Sequence, residues 1–200
     1  MQLTLPALLL GFFYGAFAVD YLWRIRMQSI DPSLSTWILF WVGCSLSLAT
    51  YVDHGGLWSG SLMNVLDAFV VLVIVAHIAL SNHRAFRLQP FEIKYLVACI
   101  GIVIFWLLFD HPFVANLMTQ GLMSFAYFPM YEALIRTGRV TESFVSWTLV
   151  VCMSVCALWS AYLGGEGLAI GYAFRAFVLP CILLLLMAFY AYVLPRFRRS

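Results

Sequence analysis

The chain has 200 residues, 64% of them hydrophobic and only 10% charged, with a formal net charge of +2. A soluble domain carries about 25% charged residues, so a water-soluble globule is excluded, and so small a net charge speaks against a nucleic-acid partner. The five cysteines (Cys44, Cys99, Cys152, Cys156, Cys181) all fall inside apolar runs and read as small core residues, not as a disulfide framework.

Crossing ~30 Å of hydrocarbon takes about 20 apolar residues. In chain order, seven segments qualify: Leu3–Trp23, Ser35–Val52, Ser59–Leu80, Glu92–Phe109, Phe113–Ile135, Phe144–Leu163 and Leu168–Leu194. The first lacks a basic leading region and a small-residue cleavage site, so it reads as a retained helix. Loop charges alternate. Arg24 and Arg26 follow the first segment, Arg84, Arg87 and Lys94 surround the third loop, Arg136 and Arg139 follow the fifth, and Arg196, Arg198 and Arg199 end the chain. The intervening connections carry no lysine or arginine. The positive-inside rule then predicts a multi-pass protein of the plasma (inner) membrane, with its N-terminus outside and its C-terminus in the cytoplasm.

Shifting the chain by 110 residues aligns 11–52 with 121–162, without gaps. Nine positions are identical, among them Tyr21/Tyr131, Arg26/Arg136, Ser33/Ser143 and Trp37/Trp147. These polar and aromatic residues keep their spacing across a helix end, a basic loop and the next helix start. A shift of four helices leaves both copies running the same way, which predicts parallel repeats about an axis along the membrane normal. The fold expected is therefore an all-α membrane protein of seven transmembrane helices. Residues 1–82 form the first three-helix repeat, 83–112 the linker helix, and 113–200 the second repeat with its basic tail.

This plan resembles the SWEET/PQ-loop transporter superfamily. Phe128-Pro129-Met130-Tyr131, followed by Arg136, Thr141-Glu142-Ser143 and Trp147, is similar to a PQ-loop, with Met130 in place of the glutamine. The first copy has Val19-Asp20 at that position, and its Asp31-Pro32-Ser33-Leu34-Ser35-Thr36-Trp37 is similar to the loop of bacterial relatives. Trp159, Tyr162 and Gly164 resemble a Trp-x-x-Tyr-Gly run, which implies a substrate contact later on the last helix, at Arg175, and its first-half counterpart near Asn64. Ala49 stands where the first-half tryptophan would be. The resemblance implies a carrier of a sugar- or vitamin-type solute, without a cofactor; homo-oligomers are common on this plan.

Charged groups inside a membrane usually face a cavity or a partner. Asp67 and Arg175 are expected at similar depth, with Asn64 on the face of Asp67. They form either a site for a polar or anionic solute or a structural ion pair. Pro129 inside the fifth helix predicts a bend, either a hinge for alternating access or a static kink. Trp41 and Trp159 lie deep enough to stack on a solute. Trp23, Trp37, Trp58, Trp106 and Trp147 lie near helix ends and read as interfacial anchors. Tyr21 and Tyr131 occupy matched positions and are either inner-gate residues or interfacial anchors, and Asp20 and Glu132 are candidate proton acceptors if transport is coupled. A competing class, an intramembrane metal hydrolase, would use Asp53-His54 and Asp110-His111, but zinc needs three or four convergent ligands. His77 and His83 lie toward the other side. A third class is a non-transporting scaffold or receptor on the same fold.

Overall fold

The computed structural model describes residues 4–30, 32–56, 61–81, 90–140 and 142–194. Arg84, Arg87, His83, Trp58, Asp31, Thr141, Arg196, Arg198 and Arg199 lie outside the described residues. Every regular element described is helical: α1 (Leu5–Arg26), α2 (Leu34–Asp53), α3 (Leu62–Ser81), α4 (Pro90–Phe109), α5 (Pro112–Phe125), α6 (Phe128–Thr137), α7 (Phe144–Gly164) and α8 (Gly167–Ala188). A π-helical turn, Phe189–Val193, continues α8. Among the described residues, six helices are long and apolar enough to cross a membrane, counting α8 with its π turn as one.

The expected fifth span is two helices. Proline has no amide hydrogen, and its ring clashes with the carbonyl four residues back, which for Pro129 is that of Phe125. The chain turns at Ala126-Tyr127 and restarts with Pro129 in the first turn of α6, where a missing N–H costs nothing. Pro129 therefore opens a helix instead of bending the interior of one. The resulting pieces, of 14 and 10 residues, are each too short to cross a bilayer alone.

Outer helices bury a narrow stripe, whereas α2 buries 11 of its 20 residues. In α1 the stripe is Pro6, Leu10, Tyr14, Phe17 and Tyr21, and in α4 Glu92, Tyr95, Cys99 and Ile102, the three- and four-residue spacing of one helical face. The outer faces expose large apolar side chains such as Phe12, Val19, Val97, Leu107 and Leu108, an exterior suited to hydrocarbon.

The helix neighbours come in corresponding sets. α2 packs on α3 and α7 on α8, while α1 packs on α3 as α5 and α6 pack on α8. Across the middle, α1 packs on α7 and α2 on α5. α4 lies against α2 and α5. The helix starts correspond too: Ser33 caps α2 by accepting from the Thr36 amide, and Ser143 caps α7 by accepting from the Ser146 amide. Such caps satisfy an orphan donor of the first turn. In α8, Pro180 leaves the Ala176 carbonyl without its helical donor. Ser154 of α7 supplies one, its Oγ donating to that carbonyl at 2.8 Å.

Candidate functional site

The buried stripes of α1, α2, α3, α7 and α8 converge on a cavity of about 60 Å³ in the middle of the bundle. Its walls are aromatic and drawn from both ends of the chain: Phe17, Trp37 and Phe40 on one side, Tyr127 and Trp147 on the other. Phe17/Tyr127, Trp37/Trp147 and Phe40/Val150 are pairs at the 110-residue offset, and all six residues line the cavity. The rings form a continuous path, Tyr21–Trp37 at 4.9 Å, Phe40–Tyr127 at 5.0 Å and Tyr127–Trp147 at 5.9 Å between centroids.

Two charged side chains, Asp67 of α3 and Arg175 of α8, also line this cavity. They do not form the direct ion pair expected as one alternative. The ion pair among the described residues joins Arg24 to Asp20 at 2.9 Å. Instead the Asp67 carboxylate accepts from two tyrosines, Tyr14 Oη to Oδ1 at 2.7 Å and Tyr172 Oη to Oδ2 at 2.6 Å. Hydrogen bonds to a charged acceptor are the stronger class, so α1, α3 and α8 are tied at one carboxylate. Arg175 Nε donates to Gln120 Oε1 at 2.9 Å. Its guanidinium carbon lies 4.8 Å from the centroid of the Tyr172 ring, within the range of a cation–π contact. Tyr172 thus stands between the two charges, with its hydroxyl on one and its ring under the other.

A buried polar relay runs from Arg175 into the first half of the chain. Gln120 Nε2 donates to Ser47 Oγ at 2.7 Å. With the Asn64 amide oriented to satisfy both its ends, Ser47 Oγ donates to Asn64 Oδ1 at 3.1 Å and Asn64 Nδ2 donates to the Cys44 carbonyl at 3.2 Å. Asn116 Nδ2 donates to the Ser47 carbonyl at 2.8 Å and to Thr50 Oγ1 at 3.0 Å. These groups satisfy one another, as buried polar groups must, and none of Ser47, Asn64, Asn116 and Gln120 lines the cavity.

A second, larger cavity of about 360 Å³ lies at the end of the bundle where α2, α4 and α7 begin. Glu92, Pro129, Glu132, Arg136 and Glu142 are among its lining residues. Glu92, buried in α4, accepts from Ser35 Oγ of α2. Trp37 borders both cavities. Trp37 Nε1 donates to Tyr21 Oη at 3.2 Å, Tyr21 Oη to Glu142 Oε2 at 3.3 Å, and Trp147 Nε1 to the same oxygen at 3.2 Å. Beside this cluster, Ser146 Oγ donates to Asp20 Oδ2 at 2.6 Å. The partition therefore joins α1 and α2 to the start of α7. Glu142 lies in the loop before α7; burial pushes its carboxyl up to about 7, against the pull of its Trp147 and Tyr21 donors.

Of the residues expected at the site, Asp67 and Arg175 meet in the cavity, and Asn64 is bound into the relay behind its wall. Trp159 is 46% exposed on the outer side of α7, since the inward stripe there is Met153, Cys156, Ala157 and Ala161. Trp41 packs half-buried against the core, and Phe40 faces the cavity in its place. Trp37 and Trp147, expected as interfacial anchors, are buried cavity walls; their closeness to a helix start does not tell which face they occupy. Tyr21 belongs to the partition, whereas Tyr131 donates to the Leu179 carbonyl at 2.9 Å. Tyr172, three residues before Arg175 and so on its face, and the Asn116/Gln120 pair were visible as polar groups in apolar runs. Tyr14 gave no such signal.

At the opposite end, Trp106 Nε1 donates to Asp53 at 2.8 Å, the His54 ring lies 5.3 Å from that of Phe113, and His111 precedes α5. No group of three His, Cys, Asp or Glu side chains able to hold a metal ion occurs among the described residues. Comparison with family models, with curated proteins and with solved structures finds no match to this chain.

Proposed function

We propose that this chain is a small solute carrier of the plasma (inner) membrane, built from two parallel three-helix repeats on the SWEET/PQ-loop plan. In this reading α1–α3 form one repeat, α4 is the linker, and α5–α8 form the other, with α5 and α6 together making one crossing. The corresponding helix neighbours, the matched Ser33 and Ser143 caps and the paired cavity walls support the repeat. Arg24, Arg26, Lys94, Arg136 and Arg139 sit at the end of the bundle that holds the larger cavity, which supports a cytoplasmic vestibule there and an external N-terminus.

The observation that carries the proposal is the charged, aromatic-walled cavity between the repeats, separated from the larger cavity by side chains of both. Ligand pockets measure about 300–1,000 Å³, so a 60 Å³ cavity must widen to hold a solute. Rocking one repeat against the other about this point would open it to either side. The Tyr21–Glu142–Trp147–Trp37 cluster acts as the inner gate, and the Ala126-Tyr127 break before Pro129 as the hinge. Uniport is the simplest mode.

The test is reconstitution into liposomes with a panel of labelled sugars, nucleosides, vitamins and organic acids. Saturable uptake and counterflow of one class, lost in Arg175→Ala, supports a carrier. Ligand binding without flux points to a receptor on the same scaffold instead.

A further inference from the structure

We propose that the central cavity takes a compact aromatic monocarboxylate: one flat ring bearing a single carboxylate. This rests on the carrier reading and narrows its solute.

The walls argue for the ring. Phe17, Trp37, Phe40, Tyr127 and Trp147 present aromatic surface from both repeats, and Met63, Met123 and Met153 are among the remaining lining residues. Aromatic faces favour offset or edge-on packing against another ring. Unbranched thioethers adapt their shape to it, which matters because a cavity of about 60 Å³ must widen to admit a ring.

The polar groups argue for the carboxylate. Both oxygens of Asp67 already accept from a tyrosine hydroxyl, so the anion is satisfied by the protein. Arg175 is not: only its Nε makes a hydrogen bond, to Gln120, and its terminal nitrogens donate to no group among the described residues. A guanidinium with its outer edge unengaged in an aromatic cavity is a bidentate site for a planar carboxylate. Gln120 and Tyr172 hold the guanidinium in place for it.

The same inventory argues against a sugar. A hexose brings several hydroxyls that lose water on entry, and each buried one left unpaired costs about 1–3 kcal/mol. The amides and hydroxyls that would receive them, Ser47, Asn64, Asn116 and Gln120, are spent on one another behind the wall.

The experiment measures binding to the purified full chain in detergent, by tryptophan fluorescence and thermal shift, with benzoate, phenylacetate and indole-3-acetate. The controls are benzamide, acetate and glucose. The expected result is that the ring acids bind at least about ten-fold more tightly than benzamide, the loss of one charge-assisted pair, and more tightly than acetate. Arg175→Gln removes the difference between benzoate and benzamide, and Phe40→Ala weakens every ring compound alike. Benzamide or glucose binding as well as benzoate overturns the proposal, and this comparison needs only the wild-type chain, so a variant that misfolds does not blunt it. Liposome counterflow separates the two readings. Ring acids that bind but are not carried leave the ligand class standing and remove the carrier, whereas carriage of glucose without binding of ring acids does the reverse.

Discussion

Replacing Glu142 with glutamine tests whether the partition between vestibule and cavity is held as described. In the folded chain burial raises this carboxyl from 4.5 to about 7. A carboxyl that holds its proton more tightly folded than unfolded contributes stability that is complete below about pH 4.5. That contribution declines as the pH rises to about 7 and is gone above it. At about 1.36 kcal/mol per unit, the span amounts to roughly 3 kcal/mol at most, less whatever partial exposure to solvent screens. A glutamine side chain cannot ionise, so Glu142→Gln removes this slope while keeping the shape of the residue. The assay is unfolding in detergent at steps between pH 4 and 8, wild type against variant. The stability of the wild type relative to the variant should fall by up to about 3 kcal/mol across that range, a shift of several degrees for a chain this long. Parallel pH profiles for the two proteins would refute the reasoning, because Glu142 would then carry no perturbed proton.

Three further outcomes are expected. Tyr14→Phe and Tyr172→Phe each strip one donor from Asp67 and should each destabilise by about 1.5–3 kcal/mol; chemical unfolding of the two single variants and the double variant would show coupling between them. A methyl group at Gly43 would stand 2.7 Å from Met123 Cγ and 2.8 Å from Tyr95 Oη, so Gly43→Ala should cost about 1–3 kcal/mol by overpacking where α2 meets α4 and α5, read from the same unfolding curves. Pro129→Ala restores the missing amide and favours a continuous α5–α6 helix; solute binding should persist while liposome counterflow slows, and unchanged counterflow would remove the hinge role.

The long helices were legible because apolar length is a strong signal: all six, counting α8 with its π turn as one, begin and end within three residues of the expected segments. The break between α5 and α6 was readable only as a bend, since a proline tells that the hydrogen-bond ladder fails but not where the chain restarts. The site was half legible. Asp67 and Arg175 announced themselves by the cost of charge in an apolar run, yet their partners are uncharged side chains, Tyr14, Tyr172 and Gln120, drawn from three helices. Which tryptophans face the cavity depends on the rotation of α2 and α7 about their axes. Because those helices are apolar on nearly every face, hydrophobic pattern does not set that rotation, and Trp37 and Trp147 face the cavity where Trp41 and Trp159 were expected to.

The measurement that reaches the central claim most directly uses Cys44, which lines the cavity and is buried at 3% exposure. With Cys99, Cys152, Cys156 and Cys181 replaced by alanine, the protein is placed in liposomes of known orientation and treated with a membrane-impermeant thiol reagent from one side at a time. A carrier that alternates about this cavity exposes Cys44 to each side in turn, so slow modification from both faces is the predicted result. Modification from one face only, or from neither, would contradict it.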